Sequence, residues 1–492
     1  MNRNKLPSWL QYPRSIAIVG FGREGQSTYR FLRKYHPDIK IRILDENEKL
    51  NIQEDVTSEE IGMDPDLLVQ LRHDPKLELR LGHESFSDLQ LQDVIFKTPG
   101  IPNHKLKLPE KTYLTSQADL FVQMFGKQTI AVTGTKGKST TAHVMEQMLQ
   151  KLRYPTALVG NIGVPALDIT DDLQPETTVI FEMSAFQTES LHVAPHIGVF
   201  TSLYKDHLDY YENFETYSKA KLHLFLLQKP DDICIFRSDD AQLGILLSSV
   251  RSKKYTYGAN SANDTTVFLQ DGWLVYKTEP GTEERIIHTQ NIPLAGEHMI
   301  INCMPALILL REGLSSSGWK PVATRDLEQA LSSLTALPGR LEKVDTVNRI
   351  RFYDDALATI PEATIAALDA LQDDVVALIA GGHDRGQVFD ALAKRIVDSK
   401  IRILILFPST GSRLKEAIQK LTDVISCVEV TSMSEAITTA DSFIRKLRTA
   451  KQPISKFPIV LLSTAAPSFG LFADYTDRSR QYKNAINTLR QG

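Results

Sequence analysis

The chain has 492 residues, is 42% hydrophobic and 24% charged, and carries a formal net charge of −4. That length predicts about three domains at roughly 100–200 residues each, and the near-balanced charge argues against nucleic acid as a partner, so any basic site must be local. No apolar run approaches the ~18 residues of a membrane span, no apolar segment follows Met1–Lys5, and Cys234, Cys303 and Cys427 form no CxxC and read as buried thiols, which together predict a cytoplasmic protein with no membrane partner.

Residues 15–20, Ser-Ile-Ala-Ile-Val-Gly, predict a strand, followed by Gly20, Gly22 and Gly25 as GxGxxG and a helix through Phe31, Leu32 and Tyr35. A second strand, Lys40–Asp45, ends in an acid. This is a dinucleotide fingerprint, with glycines for the tight turn and close approach and an acid for a ribose hydroxyl. It specifies a nucleotide without specifying nicotinamide. Val94-Ile-Phe-Lys-Thr-Pro-Gly-Ile-Pro102 predicts another strand running into a rigid turn, which is either a ligand-facing loop or a connector. Pro99, Pro102 and Pro109 then break the pattern, and the first boundary is placed at Thr115.

Thr129-Ile-Ala-Val-Thr133 predicts a buried strand, Gly134 and Gly137 a turn, and Val144, Met145, Met148, Leu149 and Leu152 a helix. Strand, glycine loop and helix N-terminus make an anion site, because loop amides and the helix dipole favour a phosphate. Lys138 adds a cation, and Ser139 or Thr140 a hydroxyl for Mg2+. Val159–Gly163 reads as a glycine-flanked turn. Thr178-Val-Ile-Phe-Glu182 predicts a strand ending in a Mg2+-ligating acid, the alternative being a cap on the next segment. His196–Ser202 predicts a strand leading to Asp206-His-Leu-Asp209, a cluster suited to a second cation or substrate phosphates. Lys219 and Lys221 fall on a predicted helix, where charge alone makes each a solvated lysine. Short strands follow at Ile233–Phe236, Thr266–Phe268, Trp273–Tyr276 and Arg285–Ile287, then Leu294–Asn302 enters an apolar helix. Ala336–Glu342 reads as a second hinge.

The last segment begins with Arg349–Asp355. Strand-like runs at Val375–Ala380, Ile401–Phe407 and Pro458–Leu462 alternate with helices, again α/β. Small and polar loops follow: Gly381-Gly-His-Asp-Arg-Gly386 and Ser463-Thr-Ala-Ala-Pro-Ser468 after the first and last runs, Pro408–Gly411 after the second. Ligands of open parallel sheets bind at such carboxyl ends.

Across nearly its whole length this pattern resembles the Mur ligases of peptidoglycan synthesis, and within them the glutamate-adding branch. The resemblance rests on Val132–Thr141, Gly160–Gly163, Glu182–Gln187, Asp206–Asp209, Lys219–Leu222, Gly296-Glu-His298, Leu337-Pro-Gly-Arg340 and Ser468-Phe-Gly-Leu-Phe472. It implies three α/β domains: a Rossmann-like N-terminal domain (1–115), a central P-loop ATPase-type domain (116–336) and a C-terminal Rossmann-like domain (337–492). It implies an ATP- and Mg2+-dependent ligase, a monomer, whose substrates are UDP-N-acetylmuramoyl-L-alanine and glutamate. The sugar nucleotide would be held by Gly22, Arg23, Glu24, Asp45, Thr98, Pro99, Gly100, Asn161 and His207. ATP would be held by Gly134, Thr135, Lys136, Gly137, Lys138, Ser139 and Thr140, with Asn302, Arg340 and Asp355. The catalytic residues would be Lys138, Glu182, His207 and Lys221. Ser139, Glu182, His207 and Lys221 would form the metal site, Lys221 matching the family's carbamylated lysine. Ser468, Phe469 and Tyr475 match positions around the incoming glutamate.

Three departures stand out. Met299 replaces an asparagine common after the histidine of Gly-x-His. Leu357 and Ile360 replace the lysine and final asparagine of a common Asn-Asp-Ser-Lys-Ala-Thr-Asn run. Arg385 replaces the lysine of the Gly-Gly-x-x-Lys-Gly loop, and is the cation left there to hold the glutamate side chain. Other readings are an L-glutamate-adding variant, a nicotinamide oxidoreductase built on the N-terminal fingerprint, and a non-catalytic relative that binds UDP-sugars.

Overall fold

The structure, a computed structural model, describes the chain except for residues 1–5, 51, 53–55, 84, 88, 90–91, 109, 209, 262–264, 279–280, 315–317 and 492. The readings made on Met1–Lys5, Pro109 and Asp209 therefore lie outside the described residues. The chain divides into two compact units, Met1–Thr289 with Ile301–Leu331, and Gln290–Ile300 with Ser332–Gly492. Both are mixed α/β. Among the described residues no helix is long and apolar enough to cross a membrane.

The first unit holds two sheets. One comprises β1 (Ser15–Val19), β2 (Lys40–Asp45), β3 (Leu77–Leu81), β4 (Val94–Lys97) and β5 (Tyr113–Thr115), all parallel, in the order β3-β2-β1-β4-β5. The other comprises β6 (Thr129–Thr133), β7 (Thr156–Gly160), β8 (Thr178–Glu182), β9 (Ile197–Phe200), β10 (Ile233–Arg237), β11 (Lys253–Gly258), β12 (Val267–Gln270), β13 (Trp273–Lys277) and β14 (Glu283–His288). Its order is β14-β13-β12-β11-β10-β9-β6-β8-β7, parallel from β7 to β12 and antiparallel beyond. Every residue of β6, β8 and β9 is buried, as their unbroken apolar runs require of strands covered on both faces.

The second unit is built on β15 (Glu342–Val347), β16 (Ile350–Asp354), β17 (Val375–Ala380), β18 (Ile403–Leu406), β19 (Ser426–Glu429) and β20 (Ile459–Leu462), ordered β15-β16-β20-β17-β18-β19. Only the β15–β16 pair is antiparallel. Alternation along β18 splits its side chains between two cores: Ile403 and Ile405 pack with Phe352 and Val460, Leu404 and Leu406 with Leu378 and Leu461.

The helices Arg23–Tyr35 and Lys138–Lys151 fall where the apolar spacing placed them. Seven strands escaped the sequence pattern: β3, β5, β7, β11, β15, β16 and β19. All but β11 and β16 are sheet edges. An edge strand is half solvated, so Glu342-Lys-Val-Asp-Thr-Val347 shows no continuous apolar run. The turn expected at Val159–Gly163 begins inside β7. Cys234 and Cys303 are buried as expected, but Cys427 is only half-buried, since β19 lies at an edge.

Candidate functional site

In the first sheet the chain order reverses between β1 and β4, which opens a crevice at their carboxyl ends. Gly20 turns there with φ +88°, and a Cβ on it would sit 2.0 Å from Thr98 Oγ1. A Cβ on Gly25 would sit 2.3 Å from the Gly20 carbonyl oxygen. The protein's own packing demands these two glycines. A Cβ on Gly22 would meet nothing within 4 Å, and its open face belongs to a cavity of about 530 Å3. Gly22, Arg23, Glu24, Asp45, Thr98, Pro99, Gly100 and Asn161 all line that cavity. His207, predicted with them, is not among its lining residues. Asp45 spends one carboxylate oxygen on the Phe21 N–H at 2.6 Å and the other on the Asn47 N–H at 2.8 Å, so it also holds the glycine turn. Glu24 Oε1 accepts from Gln187 Nε2 at 2.6 Å. Burial pushes this carboxyl up to about 7, with Gln187 and Arg23 opposing.

The phosphate loop joins β6 to the helix Lys138–Lys151. Gly134 (φ +145°) and Gly137 (φ +88°) adopt backbone that side chains disfavour. A Cβ on Gly134 would lie 2.1 Å from Thr201 Oγ1, and one on Gly137 2.7 Å from Asn302 Oδ1. The loop is braced from the end of β9: the Thr135 N–H donates to the Ser202 carbonyl at 2.8 Å, and the Lys136 N–H to Ser202 Oγ at 2.9 Å. Thr201 Oγ1 donates to the Lys136 carbonyl at 2.6 Å. Gly137 caps the helix without a side chain, which leaves the terminal amides to a ligand. Lys138 Nζ folds back on the Gly134 and Thr135 carbonyls, 3.0 Å from each. Lys136 is exposed and lies 3.6 Å from the Asp206 carboxylate. Thr140 is buried in the helix.

Ser139 Oγ donates to Glu182 Oε1 at 3.0 Å. The predicted hydroxyl and acid therefore meet at the mouth of the loop. The cap on the segment after β8 is Ser184, paired with Gln187, so Glu182 is not used for capping. His207 takes a left-handed backbone (φ +52°) and its ring meets the Phe186 ring edge-on at 5.0 Å. No group of three or more His, Cys, Asp or Glu side chains able to hold a metal gathers among the described residues.

Lys221 corrects the solvated-lysine reading. It sits on the helix Phe214–Leu226, is 2% exposed, and donates to the Gly134 carbonyl at 2.7 Å over the Tyr217 ring. Burial, then the nearby Lys138 charge, holds its amine well below the ordinary lysine range. Lys219, two positions earlier, is exposed and pairs with Glu215 at 2.7 Å, as charge alone predicts.

In the second unit Asp355 follows β16. It accepts from Ser463 Oγ at 2.8 Å and the Leu341 N–H at 3.2 Å. Burial raises it to about 7 against the opposing charge of Arg340. In the Gly381–Gly386 loop, Asp384 takes both oxygens to Arg413 at 2.7 and 2.8 Å. Arg385 instead lies over the Phe469 ring at 5.6 Å, beside buried Ser468. Phe469 and Tyr475 are exposed. Leu357 N–H donates to the Gly339 carbonyl at 3.0 Å, Ile360 precedes the helix Pro361–Leu371, and Met299 is buried. Sequence reasoning missed Thr201, Ser202 and Gln187. The first two carried a signal, being hydroxyl residues directly after an apolar strand beside the phosphate loop.

A glycine loop at a helix N-terminus, a buried acid and a crevice at strand carboxyl ends are the frame of a phosphate-handling α/β protein. The Mur ligase middle domain matches residues 132–310, and the Mur ligase glutamate ligase domain matches 339–450. A UDP-N-acetylmuramoylalanine–D-glutamate ligase of Clostridium botulinum is 30% identical over 99% of both chains, and one of Acetivibrio thermocellus 27% identical over 84% of this chain and 86% of its own. The fold is similar to that of a UDP-N-acetylmuramate–alanine ligase from Thermotoga maritima, with a TM-score of 0.54, 16% identity, and 97% of this chain and 100% of that one covered. The chain belongs to the Mur ligase family. It is an ATP-dependent ligase that forms amide bonds in peptidoglycan synthesis.

Proposed function

We propose that this chain joins D-glutamate to UDP-N-acetylmuramoyl-L-alanine at the cost of ATP, as a monomeric cytoplasmic enzyme of three domains (1–115, 116–336 and 337–492). The full-length likeness to ligases of that name supports the substrates. The observation that carries the reading is one compact unit holding both a 530 Å3 crevice lined by the predicted sugar-nucleotide residues other than His207 and a glycine loop backed by Lys138, Glu182 and Lys221.

The alanyl carboxylate attacks the γ-phosphorus of ATP, the bond to ADP breaks, and an acyl phosphate forms. The glutamate amine then attacks the acyl carbon, loses a proton, and phosphate leaves. The protein's task is positioning and charge stabilisation. Lys138 sits where it can follow the transferring phosphoryl group. Asn302, Arg340 and Asp355 are assigned to ATP. Ser139 and Glu182 are oxygen donors of the kind Mg2+ selects, with His207 and a carbamylated Lys221 as further candidates, and the ion would neutralise phosphate charge. The remaining ligands would be phosphate and water. Arg385, Ser468, Phe469 and Tyr475 are assigned to glutamate.

Thermal unfolding with UDP and with NADH separates this reading from an oxidoreductase, because only a ligand of the folded chain raises the midpoint. UDP and ATP with Mg2+ are expected to stabilise, and NADH not. Stabilisation by NADH alone would overturn the assignment.

A further inference from the structure

Lys97 is a charge at the end of an apolar strand, and none of the predicted sites accounts for it. Its side chain is 1% exposed. Its ammonium donates to Glu189 Oε1 at 2.9 Å, to the Ile101 carbonyl at 3.0 Å and to Tyr210 Oη at 3.3 Å. Tyr210 in turn donates to Glu189 Oε1 at 2.8 Å, and Tyr211 Oη to Glu189 Oε2 at 3.1 Å. Burial first, then the Glu189 charge, pushes both phenols up, so they remain donors. All three ammonium protons and both carboxylate oxygens are thus engaged.

The network ties three segments of the first unit. The bond from Lys97 to Ile101 closes the turn Thr98–Ile101, which lines the nucleotide crevice. Glu189 caps the short helix that follows Glu182 and Ser184. Tyr210 and Tyr211 stand three and four residues after His207 and donate their N–H groups to its carbonyl at 3.1 and 3.0 Å, and the Phe186 ring touches His207, Tyr210 and Tyr211 at 5.0, 4.4 and 5.7 Å between centroids. A buried ion pair gives little net stability compared with neutral side chains of the same size, because desolvation offsets the attraction. What it supplies here is a fixed register between the crevice and the Asp206–His207 loop.

We propose that Lys97, Glu189 and Tyr210 are positioning residues that set the sugar nucleotide in the crevice at the distance from the phosphate loop that phosphoryl transfer to its carboxylate requires. This rests on the ligase reading above. Small misplacements of reacting groups cost rate steeply.

The test uses the full chain with Lys97→Met/Glu189→Gln, a neutral pair, and separately Tyr210→Phe. Steady-state kinetics should show kcat/KM for UDP-N-acetylmuramoyl-L-alanine reduced about 10–100-fold, with KM for ATP within about twofold of wild type. The double variant should melt within a few degrees of wild type, a result that a purely structural role does not combine with selective loss toward one substrate. If the double variant fails to fold, Tyr210→Phe decides alone. Wild-type kcat/KM in whichever variants fold, or equal losses toward ATP and the sugar nucleotide, would overturn the proposal. Absence of turnover in the wild-type chain would instead refute the ligase reading, and calorimetric UDP binding would then test the network: unchanged affinity in Tyr210→Phe counts against it and weakened affinity supports it.

Discussion

The Lys221 amine and the Gly134 carbonyl oxygen lie 2.7 Å apart, joining the helix Phe214–Leu226 to the first residue of the phosphate loop. A lysine buried beside Lys138 has a depressed pKa, and so a larger share of neutral amine at neutral pH than a solvated lysine. A neutral amine can add to carbon dioxide, giving a carbamate and releasing one proton. The product carries a carboxylate in place of a cation, which suits Mg2+. Lys221→Ala is expected to be nearly inactive and partly restored by a short carboxylic acid. Intact mass under bicarbonate should show the carbamate on wild type and not on the variant. Full activity in Lys221→Ala would contradict this.

Lys138 Nζ donates to the Gly134 and Thr135 carbonyls of the phosphate loop, 3.0 Å from each, a pose from which it can turn to a phosphate. Because charge on the transferring group grows in the transition state, Lys138→Ala should lose on the order of 10²–10³ in kcat, the scale of removing one preorganised donor. Near-wild-type turnover would remove the loop from the chemistry.

Arg385 is the cation proposed to hold the glutamate side-chain carboxylate. Its neighbour Asp384 is taken by Arg413, whereas Arg385, an exposed residue, has its guanidinium over the Phe469 ring. A fork can grip a carboxylate through two parallel hydrogen bonds, which an ammonium cannot match. Arg385→Ala should raise the glutamate KM by about tenfold or more while leaving the other two KM values nearly unchanged, and Arg385→Lys should recover part of the loss. An unchanged glutamate KM would move the carboxylate site elsewhere.

Glu24 sets a pH dependence of stability. Its carboxyl is raised to about 7 in the folded chain, against about 4.3 unfolded. Between those values the folded chain binds more protons than the unfolded one, so stability falls as pH rises through the window. Glu24→Gln removes this component while Asp355, raised similarly, remains in both chains. Denaturant unfolding from pH 4.5 to 7.5 should therefore fall less steeply for the variant. Identical slopes would show that Glu24 is not held protonated.

The sequence disclosed what depends on local pattern. The apolar runs of β1, β6, β8 and β9 and the glycines at 20, 134 and 137 mark strand ends where backbone must turn tightly, and Gly25 lets the following helix approach the Gly20 carbonyl. It did not disclose what depends on partners far along the chain. Lys221 reads as a surface charge until the loop 87 residues away is seen to cover it. Thr201 and Ser202 gain meaning only because β9 pairs with β6. Edge strands such as β15 and β19 stayed hidden because half of each is solvated.

Phosphate release, coupled to product mass, tests the central claim most directly. With ATP, Mg2+, UDP-N-acetylmuramoyl-L-alanine and D-glutamate, the account predicts steady phosphate release that stops when any one substrate is left out, and a product heavier by one glutamyl residue. L-glutamate should support little release. Release indifferent to the sugar nucleotide, release supported by L-glutamate in preference to D-glutamate, or no release with all components present would contradict it.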